Sequence, residues 1–185
     1  VAPCDKEEMR RFVPQALDLG GPCYIRLAKG GDEVVSRPEN GFEIGRAIEL
    51  RPGGKVLLVG TGITSTRALH AAEELAADGI DCGVLHMHTV KPLDGEAILS
   101  RLPGVDLLVT VEEHTLVGGL GSAVADLLLD QAATAAGRLL RLGIPDRFPD
   151  KYGSQDDLLD YYGLQGPRIA ARVRRTLDEA GTRAA

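Results

Sequence analysis

Two glycine-containing turns have the residue pattern of a phosphate-binding loop. Gly118, Gly119 and Gly121 lie between an apolar run and a helical pattern, and Gly60 and Gly62 occupy the same kind of place earlier in the chain. Backbone N–H groups at a helix start point outward, and the helix macrodipole favours an anion there. Both turns are therefore candidates for holding a nucleotide or a diphosphate.

Neither turn completes the dinucleotide-binding fingerprint. That fingerprint requires a third glycine and an acidic residue at the end of the following strand. Ser65 and Val124 stand at the third-glycine positions, and His86 and His88 stand where the first turn would need its acid. A tight structural corner is therefore favoured over a cofactor cradle, and we predict no cofactor-binding residue in this chain.

Histidines and cysteines supply the potential metal ligands. His86 and His88 alternate along an apolar run, so a strand would direct both to one face, but no third ligand follows at a recognisable spacing. Cys4, Cys23 and Cys82 form no CxxC pair and are interpreted as small hydrophobic residues in a reducing cytoplasm. We predict no metal site.

Charged residues at predicted strand ends are the remaining candidates. Glu112, Glu113 and His114 cluster at the carboxyl end of an apolar run, where α/β sheets bind ligands, although a solvated or interface role is equally compatible. Lys29 lies in a glycine-flanked loop and could bind phosphate as a point charge, but spacing alone favours a solvated lysine. No GxSxG or P-loop pattern is present, so no catalytic residue is predicted.

The composition is typical of a soluble globular protein. Of the 185 residues, 44% are hydrophobic and 26% charged, and the net charge of -6 disfavours a nucleic-acid or anionic-membrane partner. No run approaches the roughly 20 apolar residues of a membrane helix, so a cytoplasmic location is expected. The chain starts at Val1 rather than at a methionine, which favours a fragment over a complete subunit.

From about residue 42 onward, apolar runs alternate with helical patterns. We predict strands at 45–50, 55–60, 82–90, 105–113 and 137–144, with the first two forming a hairpin, and we expect helices between the later strands and at 155–162 and 167–180. Continuously apolar strands separated by helices indicate a doubly wound α/β domain, with a mostly parallel sheet covered by helices on both faces.

The first 41 residues have a different character. A helix is predicted from Asp5, its capping residue, to Leu19, and Pro14 should kink or divide it. A short strand is predicted at 23–27, and the polar, glycine-containing stretch 28–41 is interpreted as a linker. The domains are therefore 1–41 and 42–185.

Five segments together resemble the carboxy-terminal section of the transketolase family. "GPCYIRLAKG" (21–30) is similar to the end of the pyrimidine-binding domain. "VLLVGTGITSTRALHAAEEL", "HTVKPLD", "VTVEEHTLVGGLGSAVADLL" and "LGIPDRFPDKYGSQDDLLDYYGL" are similar to successive parts of the carboxy-terminal domain. Deoxyxylulose phosphate synthases and the β subunits of 2-oxoacid dehydrogenases share this domain, so the subfamily stays open.

The resemblance implies a thiamine diphosphate-dependent enzyme that moves a two-carbon ketol unit between sugar phosphates. Thiamine diphosphate and Mg would be bound by the full enzyme, because the family's GDG motif is absent and its activating glutamate would precede Val1. This chain alone should be inactive, and its partner would be the rest of the thiamine enzyme, in a homodimer or heteromer. Apolar residues of the first helix should then promote self-association of the isolated chain.

The resemblance also assigns one substrate-binding residue and leaves two alternatives. An arginine of the family contacts the substrate phosphate at the position of Lys29, where lysine keeps the charge but loses the bidentate geometry. The alternatives are a non-catalytic assembly or regulatory subunit of a split thiamine enzyme, and a nucleotide-binding Rossmann-like regulator that uses one of the glycine turns.

Overall fold

A five-stranded sheet forms the centre of the molecule. The computed structural model describes residues 1–131 and 137–184, and within them the strand order is β1-β3-β2-β4-β5. The strands are β1 (Ile48–Arg51), β2 (Val56–Gly60), β3 (Cys82–His86), β4 (Leu107–Thr115) and β5 (Leu139–Ile144). β2 is parallel to β3 and β4, and β4 is parallel to β5, whereas β1 is antiparallel to β3. The predicted mostly parallel sheet is thus confirmed.

Helices cover both faces of this sheet, as the doubly wound prediction requires. They are α1 (Lys6–Asp18), α2 (Thr64–Ala77), α3 (Gly95–Leu99), α4 (Leu120–Asp130), α5 (Gln155–Tyr161) and α6 (Gly166–Ala184). α2, α5 and α6 contribute to one apolar cluster, and α3 and α4 contribute to the other. None of these helices within the described ranges combines the length and the apolar character needed to cross a bilayer.

The continuous apolar runs follow from burial on both faces. In β2, Val56 and Leu58 belong to the cluster with α2 and α6, while Leu57 and Val59 belong to the cluster with α3 and α4. Successive side chains of a strand point to opposite faces, so a central strand covered on both sides has no solvent-facing position. The sequence pattern therefore identified β2 correctly.

The predicted hairpin between the first two strands is wrong. β1 pairs with β3, with Ile48 opposite His86, because both edges of β2 are already occupied by β3 and β4. The turn after β1 passes over the start of β3, where a Cβ on Gly53 would lie 2.4 Å from the carbonyl carbon of Cys82. Glycine is therefore needed for this close crossing, which the hairpin interpretation missed.

The first helix is continuous. Asp5 caps it, as predicted, by accepting hydrogen bonds from the N–H groups of Glu7 and Glu8 at 2.9 Å. The predicted division at Pro14 is wrong, because α1 runs through this residue, whereas the alternative of a kink there stays a prediction. Phe12 is fully buried, and the side chain of Gln15 bonds the backbone at 42 and 44, so contacts on both sides of the proline hold the helix together.

Residues 23–27 do not form the predicted strand. Two hydrogen bonds join their backbone to the chain's first residue: the Val1 ammonium donates to the Tyr24 carbonyl and the Arg26 N–H donates to the Val1 carbonyl. A strand needs a longer neighbour to pair with.

The stretch 28–41 contains only a 3-10 turn at Pro38–Asn40, and Asp5 anchors it by accepting from Ser36. The domain boundary at 41/42 stays a prediction.

Candidate functional site

A cleft opens at the carboxyl edge of the sheet between β2 and β4. The strand order reverses at this point, which is where open α/β sheets place their ligands. The cleft has a cavity volume of about 210 Å³. Its walls come from the amino-terminal region (Val1, Ala2, Pro3, Tyr24, Arg26, Ala28) and from the sheet edge and its turns (Thr61, Gly62, Ile63, Val90, Glu112, Glu113, His114, Gly118, Gly119, Leu120).

The glycine turn after β2 lies on one side of the cleft, and its amides are already used. The Thr61 N–H donates to the Val111 carbonyl at 3.3 Å, and the Gly62 N–H donates to the Ala2 carbonyl at 3.1 Å. Gly60 allows the helix to approach, because a Cβ there would lie 2.7 Å from the Cα of Ser65. The turn therefore joins β4, α2 and the amino-terminal segment.

The second glycine turn holds a carboxyl group that belongs to the protein itself. The Glu112 carboxylate accepts hydrogen bonds from the N–H groups of Leu120 and Gly121, at 2.7 and 2.8 Å, at the start of α4. The Gly118 N–H donates to the Ser122 hydroxyl at 3.0 Å. A side-chain carboxylate thus occupies the position in which a nucleotide-binding protein of this topology holds a phosphate.

The glycines of this turn make room for that carboxylate. A Cβ on Gly119 would lie 1.8 Å from Oε2 of Glu112, closer than two non-bonded atoms can approach. A Cβ on Gly121 would lie 2.8 Å from the Thr110 hydroxyl and 3.1 Å from the other oxygen of Glu112. The glycines of the GGLG sequence are therefore explained by Glu112, because its carboxylate bonds the first two N–H groups of α4 and fills the space that side chains at 119 and 121 would need.

The environment of Glu112 perturbs its ionisation. Burial raises the pKa of its carboxyl group, and the N–H groups of Gly121 and Leu120, with the charges of His114 and Arg141, oppose that rise only in part. The nearest imidazole nitrogen, Nδ1 of His114, lies 3.9 Å from Oε2 of Glu112. The predicted Glu112 to His114 cluster therefore divides into a buried capping acid and two residues at the rim.

The rim of the cleft carries the other predicted charges. Glu113 lies 3.5 Å from the Arg26 guanidinium and accepts a hydrogen bond from the Gln155 amide at 3.2 Å. Lys29 follows Ala28, a wall residue of the cleft, and its side chain is exposed. The structure thus brings Arg26 and Glu113 together, whereas Lys29 is not one of the residues that line the cleft and lies on a segment without regular secondary structure.

A second polar cluster lies beneath the amino-terminal segment. His86, at the end of β3, is hydrogen bonded through Nε2 to Glu8 at 2.9 Å and through Nδ1 to the Ser65 hydroxyl at 2.5 Å. Glu8 also accepts from the Cys4 N–H at 2.8 Å. Burial opposes ionisation of Glu8, but the charge and hydrogen bond of His86 and the Cys4 N–H outweigh it, so the pKa of Glu8 lies below its ordinary value.

His88 completes this cluster. Its ring stacks on Phe42 with 4.3 Å between ring centres and lies 5.6 Å from the ring of His86. Burial, reinforced by His86, lowers the pKa of His88 to about 4, so its imidazole is neutral at physiological pH. The two histidines do approach each other, as their alternation in the sequence indicated, and the residues that accompany them, Cys4 and Glu8, were missed.

Comparison with known proteins identifies the family of this fold. Residues 45–169 match the family described as transketolase, C-terminal domain. The chain is 42% identical over 182 residues to a transketolase family protein of Sinorhizobium fredii, covering 97% of this chain and 52% of that protein. It is 37% identical over 181 residues to a 6-deoxy-6-sulfo-D-fructose transketolase subunit of a Clostridium species, covering 98% of this chain and 55% of that subunit.

A solved structure agrees with this match. A split-gene transketolase, described as an inactive β4 tetramer, superposes with a TM-score of 0.86 at 36% identity, covering 96% of this chain and 57% of that one. The chain spans about half the length of these relatives and 28% of similar 1-deoxy-D-xylulose-5-phosphate synthases. With a family match over more than half of its residues, the chain belongs to the transketolase C-terminal domain family.

Proposed function

We propose that this chain is the carboxy-terminal portion of a thiamine diphosphate-dependent enzyme that transfers a two-carbon ketol unit between sugar phosphates. The observation that carries the proposal is the family match over 45–169. The amino-terminal region packs on this same domain through the contact between Glu8 and His86. On this proposal the chain supplies structure and subunit contacts, and it is inactive alone.

The cofactor is assigned to the part of the enzyme outside this chain. At both glycine turns, backbone N–H groups that a diphosphate would use already donate to protein oxygens, among them those of Glu112. The residues present therefore do not fit thiamine diphosphate at these turns, and the nucleotide-regulator alternative loses its support. Mg, which accompanies the diphosphate in this family, is assigned to the same outside part.

A subunit of a split enzyme is the second candidate, and two relatives favour it. One is named a transketolase subunit, and another is described as a split-gene transketolase in an inactive β4 tetramer. The exposed apolar side chains of α1 and the residue after it, Val13, Leu17 and Leu19, would serve such assembly. Both candidates require residues from outside the chain for catalysis.

The first experiment is to measure the intact mass of the native polypeptide and to assay ketol transfer with and without its partner. We expect either a longer polypeptide that carries a GDG motif upstream, or a separate chain with that motif that co-purifies. We expect no ketol transfer by this chain alone and activity once that chain is added. Turnover by the chain alone, or none by the assembled protein with any sugar phosphate tested, would contradict the proposal.

Lys29 is proposed to bind the substrate phosphate. In the assembled enzyme, Lys29→Ala should raise the KM for a phosphorylated substrate by about tenfold with a smaller change in kcat, because one charge-assisted contact contributes about 1.5 kcal/mol. Lys55→Ala is the matched control, since Lys55 lies before β2 at the opposite edge of the sheet and pairs with Asp106 at 3.5 Å. An equal effect of both variants would argue against the assignment.

A further inference from the structure

Three side chains with metal-binding atoms meet in the interior where the amino-terminal segment packs on the sheet. One donor atom from each of Cys4, Glu8 and His86 lies within 4.8 Å of the other two. All three residues are buried, with 1% or less of their surface exposed. They come from the segment before α1, from its first turn and from the end of β3, so the fold assembles a set that no local motif contains.

Two buried atoms beside this set have no partner among the described residues. They are Oε1 of Glu8 and Nε2 of His88. A buried polar atom left without a hydrogen bond is costly and is rare in native proteins, unless water, an ion or a ligand satisfies it. Both atoms are good ligands for a transition metal. One belongs to Glu8 of this set, and the other belongs to His88, whose ring centre lies 5.6 Å from that of His86.

We propose that Cys4, Glu8 and His86 bind a zinc ion. A thiolate, a carboxylate and a neutral imidazole around a divalent cation sum to zero charge, which suits a buried position. Thiolate and imidazole select zinc over magnesium. The site is thus different in chemistry from the magnesium that accompanies a diphosphate.

The surroundings orient the ligands for this role. With the proton of His86 on Nδ1, the ring donates to the Ser65 hydroxyl at 2.5 Å and presents a lone pair at Nε2, the arrangement that metal-bound histidines adopt. On binding, the Cys4 thiol releases its proton to solvent. The proton that joins His86 Nε2 to Glu8 also leaves Nε2, for Nδ1 or for solvent, so that both atoms can coordinate the metal. No oxidation or reduction is involved.

Zinc binding by the native protein tests this proposal. After removal of metals with a chelator, the protein should take up one equivalent of zinc, measured by mass spectrometry of the metal and by calorimetric titration with zinc chloride. Cobalt(II) should give a near-ultraviolet thiolate-to-cobalt absorption band, and equimolar Mg²⁺ should not compete. Zinc should also raise the melting temperature.

Cysteine variants separate the site from adventitious binding. Cys4→Ser, which keeps the shape of the side chain, should remove the cobalt band and weaken zinc binding by more than about 100-fold. A residue that only hydrogen-bonds a metal ligand would cost less than this when it is lost. Cys23→Ser is the control, because Cys23 is exposed and lies outside the cluster. Absence of zinc uptake, or equal uptake by wild type and Cys4→Ser, would overturn the proposal. The test does not depend on ketol transfer.

Discussion

Glu8→Ala is expected to lower the free energy of unfolding by about 3–5 kcal/mol, as the removal of one partner from a buried pair does. The side chains of Glu8 and His86 are both fully buried, and 2.9 Å separates Oε2 of Glu8 from Nε2 of His86. The variant leaves the His86 ring nitrogen and the Cys4 N–H without their acceptor. Since Glu8 belongs to α1, the loss should loosen the amino-terminal segment from the sheet.

Urea denaturation in the presence of a chelator measures this effect without any contribution from a metal. Glu7→Ala is the matched control: Glu7 is the neighbouring residue, and its partly exposed carboxylate pairs only with Arg10 in the described ion pairs, so its loss should cost less than about 1 kcal/mol. A double-mutant cycle with His86→Ala should give a coupling of about 0.5–3 kcal/mol. A coupling near zero would mean that the pair is not formed in solution.

Glu112→Ala is expected to destabilise the protein by about 2–4 kcal/mol, because it leaves the N–H groups of Leu120 and Gly121 at the start of α4 without an acceptor. Glu113→Ala is the adjacent control. Glu113 contacts Arg26 and Gln155 at the rim, and its removal should cost less than about 1 kcal/mol. Equal losses in the two variants would contradict the capping role of Glu112.

The destabilisation by Glu112→Ala should also depend on pH. Burial raises the pKa of this carboxyl group, so the native state holds the proton more tightly than the unfolded state does. The more favourable protonation of the native state therefore contributes its full stability below the ordinary glutamate pKa. This contribution is lost as the pH rises through the raised pKa. The variant lacks this titration, so the difference in unfolding free energy should be larger in acid than at neutral pH.

Local patterns predicted much of the sheet and helices, because those signals are carried by neighbouring residues. The apolar runs of β2 and β4 and the capping residue of the first helix, Asp5, which accepts from the N–H groups of Glu7 and Glu8, were identified correctly. Strand pairing was not, since β1 lies against β3 and not against β2. Pairing depends on which strand edge is available, and the sequence of the strand does not encode that.

The polar clusters depend on contacts between residues distant in the sequence. Glu8 and His86 are 78 positions apart, so no spacing rule could connect them, and His86 and His88 alone lacked a third ligand. The capping role of Glu112 was nearer to prediction, since an acid stood just before a glycine turn. Its signal was the unexplained pair of glycines at 119 and 121, whose Cβ positions are taken by that carboxylate and its neighbours.

The contact between Gly119 and Glu112 has a consequence for how this domain can diverge. A methyl group at 119 would overlap the carboxylate, so a side chain there becomes acceptable only after the acid has gone. Loss of the acid first leaves unpaired amides at the helix start, which a bound anion could then occupy. Positions 112 and 119 are thus coupled, and replacing the acid alone, with glycine kept at 119, would convert a self-capped turn into one whose free amides can bind a phosphate.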